Sequence, residues 1–326
     1  MSQDSSPIAD EIRKVFNGFP EKYVLQQKDF TLIGLISNDD FSSSYNLCDK
    51  VSNRLGNIVC KVFKDPNEIL FVLQWCAKNF EKKLDNVIQY HGIALKWDCN
   101  APELWLLMEK ADSTFATIFN TKPTSFDEKW NDYLQQIVIG FASLRLLDEK
   151  ARINCKPSNI YIFKNESIKI DGFDLTDIRA KSRVSSPGGV NPSLKYKSPL
   201  ELNQTYDEDG KSNFSPKLSD EIYSIGALSH FLVFGKEPFS GCTPIAIYSS
   251  KLIDTLSKHK TLEDCPEHLI DFCKRCIAVD PENRPKTLND VIALLTSLNA
   301  STVQTLALAS DVSNMTTVPQ TVHAIQ

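Results

Sequence analysis

The sequence lacks any run of about 18 apolar residues, so no segment is expected to span a bilayer. Its start carries no apolar stretch of the kind a signal peptide needs. Positive charge is not in excess either: 36 Lys and Arg stand against 41 Asp and Glu, a net charge of -5. Such a balance gives nucleic acid or an anionic membrane no electrostatic reason to bind. A disulfide framework is also missing. The nine cysteines are odd in number and scattered without a repeating spacing, which suits reduced thiols in a cytosolic setting. The one close pair, Cys273 and Cys276, has no second such pair and no histidine pair nearby. Two small apolar residues on one helix face are therefore expected there, rather than half a metal site. No internal repeat is visible. What is present is 326 residues, 42% hydrophobic and 10% aromatic, enough to fill one two-lobed domain or two small ones. The expectation is a soluble, cytoplasmic protein.

The most informative stretch runs from Ile153 to Leu175, INCKPSNIYIFKNESIKIDGFDL. Asn159–Phe163 and Ser167–Ile170 are β-branched and aromatic, and the charged Lys164, Asn165 and Glu166 between them form a turn, so the pattern predicts a hairpin holding two polar loops side by side. Upstream, Trp130 to Leu147 keeps a 3.6-residue apolar period without proline and reads as a buried helix. Downstream, a helix opening at Asp220 is apolar nearly all round to Phe234 and stops at Gly235, the pattern of a central helix. Strand-like runs lie at Thr31–Ile33, Asn57–Phe63, Asn86–Leu95 and Leu104–Met108. Ile8, Ile12, Val15 and Phe16 are spaced for one face of a short docking helix that starts at Ser6 and Pro7.

The loops of the hairpin resemble those of the protein kinases, whose catalytic loop reads H-R-D-x-K-P-x-N and whose metal loop reads D-F-G. Lys156, Pro157 and Asn159 stand where that loop has its lysine, proline and asparagine, while Asn154 takes the place of the catalytic Asp and Arg152 that of the His. The D-F-G triplet is Gly172-Phe173-Asp174. Further along, Tyr196 to Glu201 resembles the closing A-P-E motif. Lys236 to Phe239 and Asp280 to Pro285 match the C-lobe. The resemblance covers about residues 25–297. It is nearest to the tyrosine-kinase-like group, and within it to the mixed lineage kinase domain-like pseudokinases, which share the G-F-acidic triplet, the S-P-x-E-L closing motif and the E-I-Y-S-x-G helix.

This resemblance implies an α+β, two-lobed kinase-like fold, with a β-rich N-lobe and a mainly helical C-lobe, preceded by an extension over 1–24 and followed by a tail over 298–326. It implies nucleotide contacts from Gly34, the one survivor of the glycine-rich loop (Ile36 and Asp39 stand at the others), from the strand lysine Lys61, from Met108, Glu109 and Ala111 at the gatekeeper and hinge, and from Asn159. The helix glutamate that normally pairs with the lysine falls at Gln74 or Trp75, and neither can form an ion pair. Lys61 is left to bind nucleotide or to find another partner such as Asp174. Arg284 would meet Glu201 in place of the A-P-E glutamate.

Two losses dominate the chemistry. Asn154 is a neutral amide that cannot accept the substrate proton, and a positioned base contributes about 10²–10⁴ in rate. Gly172 offers no side chain to hold Mg²⁺, so no magnesium site is expected, and any ATP binding would be weak or metal-independent. The expected function is a catalytically impaired pseudokinase acting as a scaffold, switch or decoy for protein partners, a kinase or signalling adaptor, with neither nucleic acid nor membrane insertion involved. The alternative is a divergent Ser/Thr or Tyr kinase that recruits Asp174 or Asp171 for metal. The four-helix bundle with which that family permeabilises membranes needs more chain than the ~25 residues before the fold.

Overall fold

A computed structural model of the chain describes residues 6–38, 42–49, 54–98, 101–121, 123–147, 155–173, 192–203, 217–236, 238–239 and 260–296. Its N-terminal half is an antiparallel sheet in the order β1-β2-β3-β5-β4, built from β1 (Phe30–Asn38), β2 (Ser42–Asp49), β3 (Arg54–Phe63), β4 (Tyr90–Asp98) and β5 (Ala101–Glu109). Two helices cover one face of this sheet. The first, α1 (Pro7–Asn17), buries Ile12 completely. The second, α2 (Pro66–Asn79), begins where Asp65 accepts hydrogen bonds from the N–H groups of Asn67 and Glu68 at 2.9 and 3.1 Å, with Pro66 at its first position. Its stripe of Ile69, Val72, Leu73 and Cys76 packs on Phe63, Leu104 and Leu106 from the sheet and on Ile12 from α1. The Arg13 guanidinium of α1 lies 4.1 Å from the centre of the Trp97 ring on β4.

The C-terminal half is helical, as the apolar periodicities predict. Around a second core stand α3 (Phe115–Phe119), α4 (Lys129–Leu147), α5 (Pro199–Leu202), α6 (Leu218–Phe234), α7 (Glu267–Cys276) and α8 (Leu288–Thr296). Every residue of α6 from Asp220 to Phe234 is buried, so it is the central element. The approach of α7 to it requires a glycine: a Cβ at Gly226 would sit 2.4 Å from the Cys276 Cβ. Cys273 and Cys276 are both fully buried in this contact, and burial pushes the Cys273 thiol up to about 12. They serve as two small apolar residues on one helix face.

A small sheet of β6 (Ser113–Thr114), β7 (Ile160–Ile162) and β8 (Ile168–Ile170) carries the predicted hairpin. The strand expected over Asn86–Leu95 begins later, at Tyr90. The reason is local. Asn86 has φ 56°, and its side chain donates to the Ile168 carbonyl at 2.7 Å. Ile88 and Ile170 donate backbone N–H groups to Ile170 and Asn86. Residues 86–88 thus leave the upper sheet to pair with β8, joining the two halves just behind the loops. The fold is α+β and two-lobed.

Candidate functional site

Lys61 lies on β3 opposite Leu106 of β5, in a strand whose Val59, Cys60, Val62 and Phe63 are buried. Its ammonium reaches the loop after β8 and lies 3.1 Å from Asp171 Oδ2, with side-chain exposures of 13% and 6% for the pair. The other oxygen of Asp171 accepts a hydrogen bond from the Tyr90 hydroxyl at 2.6 Å and one from the Gly172 N–H at 2.9 Å. Burial, followed by the field of Asp171, raises the Tyr90 pKa well above its usual value, so the phenol stays protonated and donates. Both oxygens of this buried carboxylate are therefore satisfied, one by charge and one by hydrogen bonds. Among the described residues the lysine's partner is Asp171; Asp174, the partner considered from the sequence, lies outside them.

The neighbouring glycine is enclosed. A Cβ at Gly172 would stand 2.7 and 2.9 Å from Cη2 and Cζ2 of Trp75 and 3.1 Å from the Tyr90 hydroxyl. Trp75 is held there by its ring contacts, 5.5 Å centre to centre with Tyr90 and 5.4 Å with Phe173. Phe173 in turn stacks on Tyr90 at 5.9 Å and is buried among Phe63 and Phe71. The space in which a side chain at 172 would begin is thus filled by an indole. Of the two positions expected to replace the helix glutamate, Trp75 does this packing and Gln74 bonds to Glu11 of α1 at 3.4 Å. The buried acid of α2 is instead Glu68, 1% exposed in the first turn. The resemblance points further along the helix, to Gln74 or Trp75. The signal was available in Asp65-Pro66, whose cap and first-turn proline place Glu68 at the head of the buried stripe.

The remaining predicted residues lie on the β1–β2 pairing, at the end of β5 and just beyond it, and at the turn before β7. Met108 is buried on β5 opposite Val59 and Tyr90. Glu109 is tied down on both chemical ends: its N–H bonds the Gln89 carbonyl at 3.0 Å, and its carboxylate takes the Lys169 ammonium at 2.7 and 2.8 Å and the Gln89 N–H at 2.7 Å. Ala111 is half-buried, and its N–H makes no hydrogen bond among the described residues. Gly34 has φ 59° at an irregularity of the β1–β2 pairing. Lys156 precedes the turn Pro157–Asn159 and Asn159 ends it; both are half-buried. The Asn159 carbonyl accepts the Asp171 N–H at 3.1 Å, which brings the two loops together. Asn154, Asp39 and the segment 174–191 lie outside the described residues.

Beneath the cleft, Arg284 is fully buried. It donates to the carbonyls of Ala278, Ser219 and Val279 at 2.8, 2.9 and 3.0 Å, and it lies 3.7 Å from Asp220 Oδ1 and 4.9 Å from the Tyr223 ring centre. Asp220 also accepts from Ser198 Oγ at 2.6 Å. The expected contact of Arg284 with Glu201 is not made; Glu201 pairs with Lys197 at 2.8 Å. Asp220, at the start of α6, faces the arginine directly, and the carboxylate one residue late in the closing motif points elsewhere.

Among the described residues, no group of three His, Cys, Asp or Glu is placed to hold a metal ion, and no helix is long and apolar enough to cross a membrane. The family model for the protein kinase domain matches residues 59–293. The human mixed lineage kinase domain-like protein is 24% identical over 308 residues, 88% of this chain and 61% of that protein. Its mouse counterpart is 24% identical over 245 residues, 70% of this chain and 48% of that protein. A probable serine/threonine-protein kinase of Clostridium acetobutylicum is 28% identical over 144 residues, 44% of this chain and 20% of that protein. The chain therefore spans less than two thirds of the length of each of these relatives.

Proposed function

Because the chain belongs to the protein kinase family, with both a mixed lineage kinase domain-like protein and serine/threonine kinases among its relatives, we propose that it is a pseudokinase. It works as a protein-binding scaffold, switch or decoy and does not transfer phosphate. The observation that carries this reading is the packing of Trp75 onto Gly172. Phosphoryl transfer needs a carboxylate at that place to hold Mg²⁺ against the phosphates, and the family's strand lysine must be available to them. Here the place is filled by an indole, and Lys61 is engaged with Asp171. Asp171 cannot readily serve as a substitute metal ligand, since its two oxygens already meet Lys61, Tyr90 and the Gly172 N–H.

The hinge is a different matter. The family recognises adenine there by backbone groups, and the N–H of Ala111 has no hydrogen bond among the described residues that would compete for it. The residues present fit the base of a nucleotide and not its metal-bound phosphates. Any ATP held here would be bound weakly and without magnesium. Thermal unfolding with ATP, with and without Mg²⁺, tests the assignment, because a ligand that binds the native state raises the midpoint by mass action. A shift that is the same with and without metal, or no shift, is expected. A shift that needs metal, together with phosphate transfer that Lys61→Met abolishes, would establish the divergent kinase instead.

A further inference from the structure

At the C-terminal end of α2 the structure holds a cavity of about 220 Å³. Trp75, Phe80, Leu84, Val87, Ile88 and Tyr90 supply its apolar wall. Lys82, Lys83 and Lys169 stand around it. Lys169 is occupied by Glu109. Lys82 bonds only the neutral Asn79, at 3.3 Å, and neither Lys82 nor Lys83 has a carboxylate partner among the described residues. The adjacent acid Glu81 is paired with Lys22 at 2.5 Å, so it does not neutralise them. Two exposed ammonium groups thus border a hollow whose lining, with Asn79 and Gln89, is as polar as it is apolar.

Size decides what could fill it. Small-molecule pockets usually enclose about 300 Å³ or more, and this cavity is below that range, yet it is ample for a single large side chain. A bulky apolar anchor seated in a pocket and ringed by polar contacts is the usual centre of a protein interface. We propose that this cavity receives one aromatic or leucine side chain of an acidic peptide segment of a partner protein, whose flanking carboxylates pair with Lys82 and Lys83. The proposal follows the reading of the chain as a protein-binding module but concerns a face separate from the nucleotide cleft. The two faces are in contact through shared side chains: Trp75 and Tyr90 wall the cavity on one side and touch Gly172 and Asp171 on the other. An anchor in the cavity therefore touches the same side chains that pack on the loop after β8.

The test is selection of displayed random peptides against the whole chain, followed by binding titrations of the most enriched peptide. Enriched sequences should carry one aromatic or leucine residue between Asp or Glu residues, and changing that anchor to Ala should abolish binding. Lys82→Glu with Lys83→Glu, both on exposed side chains and leaving the unfolding midpoint unchanged, should weaken the peptide about tenfold or more. The same peptide with Lys in place of its acids should prefer the double variant. Failure to enrich above a blank surface, enrichment without acidic residues, or an affinity unmoved by the charge reversal would each overturn the proposal. Detection of metal-dependent phosphate transfer would defeat the pseudokinase reading and leave this one standing.

Discussion

Two buried ionic clusters hold this molecule together, and they have been treated differently. In the C-lobe, Arg284 with Asp220, Ser198 and three carbonyls ties the start of α6 and the loop after α7 to the closing motif. In the cleft, Lys61 with Asp171 and Tyr90 ties β3 to the loop after β8. The first uses family motif residues in an architectural task. The second takes a lysine that the family uses on phosphates and gives it an internal carboxylate. An ion pair that carries no chemistry can be kept or shifted by one residue as long as the charges are satisfied. Here that lysine fastens β3 to the loop after β8.

If both clusters are architectural, breaking either should cost stability, in an order set by burial. Arg284→Ala should have the largest effect, about 3–5 kcal/mol, because it leaves Asp220 buried without its cation, and urea unfolding would measure it. Lys61→Met should follow at about 3 kcal/mol, since its side chain is less deeply buried. Adding Asp171→Asn should recover part of that loss, as expected for residues in one contact. A Lys61→Met variant with unchanged stability would break the comparison, because the lysine would then be serving a ligand. Gly172→Asp should cost about 1–3 kcal/mol from overpacking against Trp75 and gain no phosphate transfer, while Trp75→Ala in the same chain should relieve the clash. Tyr90→Phe should cost about 1 kcal/mol by removing one of the donors to Asp171. In thermal unfolding that would still be resolved from the parent.

The fold was legible because its signals are local. The periodicity of Trp130 to Leu147, the all-round apolarity from Asp220 to Phe234 and the hairpin at Asn159–Ile170 each lie in a continuous stretch, and each appears where it was expected. The site was legible only in what it lacked. That Gly172 cannot hold a metal is evident from its identity; that Trp75 fills the gap depends on a contact between a helix of one lobe and a loop of the other, which no local pattern encodes. The partner of Lys61 was missed for the same reason. In the sequence Asp171 enters only as one of two candidates for metal in the alternative reading, and the loop after β8 turns its side chain toward β3 and Tyr90. Glu201 similarly looked able to replace a missing glutamate in sequence, and in space it lies on the far side of a helical turn, beside Lys197.

The contact between Trp75 and Gly172 also bears on how such a chain could change over time. A single substitution that returned an acid to position 172 would be selected against before it could help, since it must first displace the indole. A smaller residue at 75 acquired first would open a void beside Phe173 and gain nothing by itself. Each single-step route to a carboxylate at 172 therefore crosses a less stable intermediate. The packing of one tryptophan makes the residue beside it hard to exchange one substitution at a time.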